Sequence, residues 1–179
     1  RYKLNQWRSK IKNYSITLGA AIHVIDLVTW LINKKPETVT AFGNNIVTKN
    51  SSFKKKSFIV YIFKFPGDIL VKITSNLAGI YNHFHELKIF EKDKTIIHAP
   101  EKTSIYQEVK NNVVKKITLK NNYPDKKNRK KLIQNLVDQI HERKVRPIIT
   151  LKDQIDLMTI CFQADQSLIQ KKEIRIKYL

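Results

Sequence analysis

Cysteine, glycine and acidic side chains are all scarce in this chain of 179 residues, and each shortage removes a class of chemistry. The single cysteine, Cys161, can close no internal disulfide and supplies too few thiolates for a structural zinc site. A metal would have to rest on histidine and carboxylate, and none is expected. The four glycines, Gly19, Gly43, Gly67 and Gly79, stand far apart, so neither Gly-x-Gly-x-x-Gly nor a P-loop runs through them. The chain therefore cannot build the usual phosphate cradle alone. His-Glu-x-x-His, Gly-x-Ser-x-Gly and Cys-x-x-Cys are missing too, which removes zinc proteases, serine hydrolases and thiol redox pairs. No apolar run approaches the roughly 18–20 residues that span a bilayer. No basic-then-apolar leader opens the chain. A cytoplasmic setting without a membrane partner is the expectation. The chain starts at Arg1 rather than Met, which leads us to expect further protein upstream.

With 34 Lys and Arg against 15 Asp and Glu, the formal charge is +19. Such an excess ordinarily points to phosphates. Here most of it is lysine; the arginines are only Arg1, Arg8, Arg129, Arg143, Arg146 and Arg175, whereas nucleic-acid readers lean on arginine for bidentate contacts. Lysine rises together with Ile and Asn, as an AT-rich coding sequence would produce. The runs Lys54-Lys55-Lys56 and Asp125–Lys131 are not interleaved with aromatics on which bases could stack. A basic nucleic-acid-binding module is kept as the alternative, but nucleic acid is not the expected partner. At 42% hydrophobic, the chain can bury a core and is no disordered polyelectrolyte. We read residues 1–179 as one domain.

Helical spacing places Ile22, Ile25, Val28 or Thr29, and Ile32 on one stripe of Gly19–Asn33, with Asn33-Lys34-Lys35-Pro36 as the stop. From Glu37 to about Lys120 the pattern turns to strands: Thr38–Thr48, Phe58–Phe65, Ile69–Ser75, Phe84–Glu91, Thr95–Ala99, Ser104–Lys110 and Val113–Leu119. Pro66-Gly67-Asp68 and Glu91–Lys94 read as tight hairpins. Helical period returns over Arg129–Arg143, with Leu132, Leu136, Val137 and Ile140 on one face. It returns again over Lys152–Lys171, where Ile155, Met158, Thr159, Phe162, Gln166 and Ile169 read as the buried stripe. A last strand follows at Glu173–Lys177. This order predicts an α+β fold with a large, mostly antiparallel sheet and helices packed on one face. Phe58–Phe65 is apolar at consecutive positions, so both sheet faces should be covered there. Helices cover one; the other needs a second subunit or another domain, and an oligomer through the open face of the sheet is the expectation.

Few residues can carry chemistry. His23 and Asp26 lie three apart, on adjoining parts of one helical surface, where a carboxylate can orient an imidazole and raise its pKa. Taken alone, such a pair more often makes a partly buried hydrogen bond or ion pair than it transfers a proton. His83-Phe84-His85 alternates on an expected strand, which puts both imidazoles on one face beside Asn82. They suit substrate contacts or ordinary cross-strand packing. His98 and His141 read as surface residues, and Cys161 as core.

Three separated stretches then share one likeness. Trp7-Arg8, Gly19–Leu31 (GAAIHVIDLVTWL) and Pro36-Glu37-Thr38-Val39-Thr40-Ala41 resemble the start of the second domain of the Gfo/Idh/MocA oxidoreductases. The hairpin around Pro66-Gly67-Asp68, with Ile73–Asn76 and His85–Phe90, is similar to that family's central strands. Leu136–Ile140, Arg146-Pro147, Asp153 and Ala164-Asp165-Gln166-Ser167 are similar to its last helices. The resemblance implies the glyceraldehyde-3-phosphate-dehydrogenase-like C-terminal half of a two-domain subunit. Its Rossmann half, with the phosphate-binding glycines and the Lys of a Glu-Lys-Pro motif, would lie outside this chain and bind NAD or NADP. The half seen here would close the pocket for a sugar, nucleotide sugar or related polyol and form a dimer or tetramer through its sheet. It would be inactive alone. In that scheme His23 is the proton relay near the reacting hydroxyl, and Asp26 an orienting or substrate-binding carboxylate. Arg8, Asn82 and His83 would contact substrate. Many sugar and inositol dehydrogenases of the family carry Asp four residues before the histidine; here it is Gly19, which would leave room for a bulkier ligand such as a nucleotide sugar. A non-catalytic sugar-binding relative is the remaining alternative.

Overall fold

The computed structural model describes residues 7–11, 14–77, 79–80, 84–109, 113–120, 128–141 and 145–179. It divides into two compact units, one of residues 1–80 with 149–179 and the other of residues 81–148. The α+β class holds, but among the described residues eight strands pair as two four-stranded antiparallel sheets instead of one large one. Alternation marks strands without saying which edges meet, so the sheet count lay beyond the pattern.

In the first unit, helix α1 (Ile22–Ile32) is followed by strands β1 (Thr38–Asn44), β2 (Phe58–Phe65) and β3 (Ile69–Asn76). Three more elements of the chain, β4 (Leu87–Phe90), β5 (Lys94–His98) and β6 (Lys102–Val109), lead to β7 (Val113–Lys120) and helix α2 (Arg129–His141) in the second unit. The first unit resumes with helix α3 (Leu151–Gln170) and the short β8 (Ile174–Arg175). Its strands lie in the order β3-β2-β1-β8. Asn33 adopts the left-handed conformation that closes α1 after Ile32, its amide donating to the Trp30 carbonyl, as the stop signal predicts. Gly67 and Asp68, both at positive φ, turn the β2–β3 hairpin, whose register runs from Phe65↔Ile69 to Phe58↔Asn76.

The core of this unit lies between one sheet face and two helices. Val39 and Ala41 of β1 stand opposite Phe63 and Tyr61 of β2, and all four are buried with Ile59, Phe65 and Ile73. Ile25 and Val28 of α1 complete the layer, as their stripe predicts. α3 differs from expectation. Its buried side carries Leu157, Ile160, Cys161, Ala164 and Ser167, while Ile155, Met158, Phe162 and Ile169 are exposed. Two apolar stripes compete on this helix, and the one with small residues wins because it allows close approach to β1. There the Ala41 amide donates to Ser167 Oγ at 2.9 Å, and a Cβ on Gly43 would sit 3.2 Å from Leu168. On β2 the other sheet face is only half-covered at Phe58, Val60 and Ile62, and Phe42 and Leu70 beside it are open. Full cover on both faces is not present in this chain.

The second unit carries the sheet β4-β5-β6-β7, with Ile96↔Ile105 and Ile105↔Ile117 in register. Phe84 and His85 precede β4 instead of lying on it, so the expected alternation does not form there. His98 is no plain surface residue: its Nδ1 lies 2.8 Å from Thr103 Oγ1, and its ring packs 5.1 Å from that of Phe84. α2 forms where its period predicts, yet Leu132, Leu136, Val137 and Ile140 are all exposed. Amphipathic spacing forms a helix whether or not a partner covers its stripe.

Candidate functional site

The site grows from the segment that enters α1. Thr17–Ala21 forms one π-helical turn, in which the Ile22 amide reaches back to the Thr17 carbonyl, and α1 continues without a break into Ile22 and His23. Such single turns insert an extra residue into a helix and recur at functional sites. Thr17 holds the turn in place. Its hydroxyl is fully buried, donates to Asp165 Oδ1 on α3, and lies 2.9 Å from the Tyr61 hydroxyl on β2. A hydroxyl has one proton to give, so the phenol of Tyr61 is the donor to Thr17. Burial, above all, pushes the Tyr61 phenol well above its ordinary range, which keeps that proton in place.

Beyond the turn, His23 and Asp26 both face solvent on α1. The Asp26 carboxyl is raised above its ordinary value, first because part of it is desolvated, with the nearby Asp153 adding to the rise and His23 opposing it. This pull of His23 on Asp26 follows from their three-residue spacing on adjoining parts of one helical surface. Asp26 also acts on the buried Cys161 of α3, so the pair stands beside the α1–α3 contact. Arg8 belongs to a 3-10 turn, Trp7–Lys10, and its side chain lies outside the described residues. Asn82 and His83 lie outside them altogether. Of the five expected site residues, the structure thus brings together His23 and Asp26.

Gly19 overturns one expectation. The room beside it is filled by the chain itself: a Cβ at this position would lie 1.7 Å from the Tyr14 hydroxyl and 2.2 Å from its ring carbon. No space is left there for a bulkier ligand. Tyr14, whose ring meets Phe53 edge to face at 6.4 Å, is a site neighbour that sequence reasoning missed, as it missed Thr17 and Tyr61. Thr17 lies in the apolar run Ile16-Thr17-Leu18, where a lone hydroxyl was the one available signal.

Residues 2–97 match the family model of the GFO/IDH/MocA C-terminal domain, more than half of the chain. The chain belongs to the Gfo/Idh/MocA oxidoreductase family. Among solved structures, an oxidoreductase domain protein of Kribbella flavida matches with a TM-score of 0.77 at 12% identity, over 97% of this chain and 54% of that one. UDP-N-acetylglucosamine 3-dehydrogenase of Acidithiobacillus ferrooxidans matches at 0.71 and 14% identity, over 93% and 50%. The myo-inositol 2-dehydrogenase of Lactobacillus plantarum matches at 0.61 and 13%, over 96% and 51%. At these identities the likeness is one of fold. The Gfo/Idh/MocA chain described here spans about half the length of each relative. No curated protein matches it by sequence.

The described residues do not fit a dinucleotide. Gly67 alone among the glycines has a positive φ, and it serves the β2–β3 hairpin. No group of three or more His, Cys, Asp or Glu side chains among the described residues could hold a metal ion. None of the described helices is long and apolar enough to cross a membrane.

Proposed function

We propose that residues 1–179 serve as the substrate-binding and oligomerisation domain of an NAD(P)-dependent oxidoreductase that acts on a carbinol of a sugar, nucleotide sugar or related polyol. The observation that carries this reading is the electrostatically coupled, solvent-facing pair of His23 and Asp26 at the start of α1, in a chain of this family. Two of the structural relatives are named as dehydrogenases of myo-inositol and of UDP-N-acetylglucosamine, which supports a cyclic polyol or sugar as the ligand class.

Oxidation of a carbinol removes a hydride from carbon and a proton from oxygen. The nicotinamide cofactor, held by residues outside this chain, supplies the acceptor for the hydride. This chain's part is the proton. The His23 imidazole takes it from the substrate hydroxyl in oxidation and returns it in reduction, and Asp26, one turn on, stabilises the charge that His23 then carries. Arg8, Asn82 and His83 are assigned to substrate contacts on the resemblance alone.

The test is an assay of the full-length protein against a panel of cyclic polyols, sugars and nucleotide sugars with each nicotinamide cofactor. Substrate-dependent cofactor reduction is expected for at least one member. Sugar binding without turnover, across the panel and with both cofactors, would place the protein among non-catalytic binders.

A further inference from the structure

The three-residue cluster of Thr17, Tyr61 and Asp165 lies outside the pair assigned to proton transfer, yet it ties the π-turn to β2 on one side and to α3 on the other. Thr17 and Tyr61 are fully buried, and Asp165 is half-buried. Each comes from a different element: Thr17 from the turn, Tyr61 from the centre of β2, Asp165 from α3. An unpaired hydroxyl at such depth would be costly, so all three must be in register for the turn to sit where it does. Thr17 also supplies the carbonyl that accepts the long i to i−5 bond from Ile22. One extra residue in a helix rotates everything after it by about 100°. If the turn relaxed to ordinary α-helix, His23 would leave its present face.

We propose that Thr17, held between Tyr61 and Asp165, is a positioning residue that fixes the helical phase of α1 and so aims the His23 imidazole at the substrate. This deepens the reading of His23 as the proton relay and rests on it. Thr17 touches neither substrate nor cofactor; it acts through the backbone.

Thr17→Val keeps the shape and removes the hydroxyl, whereas Thr17→Ser keeps the hydroxyl. In the full-length protein, Thr17→Val should lower kcat by about 10- to 100-fold with KM little changed, since misaiming a catalytic group costs on that order. Thr17→Ser should restore most of it. The His23 ring resonances, assigned by their loss in His23→Ala, should move in Thr17→Val and return in Thr17→Ser. A merely structural threonine would lower the melting temperature and leave those resonances in place. If Thr17→Val fails to fold, Tyr61→Phe removes the donor alone and should shift the same resonances in the same direction. Wild-type kcat together with unmoved His23 resonances in the folded variant overturns the proposal. Wild-type turnover in His23→Ala overturns the proton-relay reading instead, and the resonances still decide whether Thr17 sets the phase.

Discussion

At the scale of single residues, the buried groups here are closed to chemistry and the exposed ones open to it. Cys161 is fully buried on α3, and desolvation, with the charges of Asp165 and Asp26, pushes its thiol up to about 12 from 9.0. Thiol reagents at mildly alkaline pH should leave it unmodified until denaturant is added, and rapid labelling of the folded protein would contradict that burial. The same shift has a consequence for stability. A thiol whose pKa is raised by folding holds its proton in the native state after the unfolded chain has lost it. Its contribution is complete below pH 9 and declines as pH rises toward 12. Urea midpoints should fall over that range. Gly19 offers a second check. Gly19→Ala should cost about 1–3 kcal/mol, because the Tyr14 ring must swing away from the new methyl group. In a Tyr14→Ala background the same substitution should cost much less; equal costs in the two backgrounds would show that Tyr14 is not what excludes a side chain there.

At the scale of elements, local period was a better guide to what forms than to what it packs on. The α1 stripe, the Pro66-Gly67-Asp68 hairpin and the limits of β2 follow from spacing and turn chemistry, which are local. The buried side of α3 does not, because both of its stripes are apolar and only β1 can choose between them. The π-turn is equally hidden, since its extra residue leaves no mark in the order of Ile16-Thr17-Leu18-Gly19. Of the site, His23 and Asp26 could be read from their spacing, but Tyr14, Thr17 and Tyr61 join it only through the fold. The start of α3 carries its own test. Asp156 is buried and ion-paired with Lys35 and with Lys152, the latter at 3.4 Å, and the Lys35 ammonium stands 4.9 Å over the Tyr178 ring. Asp156→Ala should lower stability by about 1–3 kcal/mol in denaturant melts, because both lysines it strands keep access to solvent. A loss beyond that would mean that one of the cations is buried by the change.

At the scale of the whole molecule, what this chain leaves uncovered matters as much as its core. One face of the first sheet shows Phe42 and Leu70 to solvent beside the half-covered Phe58, Val60 and Ile62. A second copy seated there would bury that surface, and light scattering of the full-length protein should report a dimer or larger that Phe42→Asp weakens. A monomer at micromolar concentration would remove the sheet face from that role. The large positive charge is mostly lysine, and the proton chemistry is assigned to His23. That assignment is the centre of the account, and turnover of His23→Ala in the full-length protein tests it most directly. A fall of about 10²–10⁴-fold is expected if the imidazole is the acid and base. Turnover near that of the wild type would contradict it.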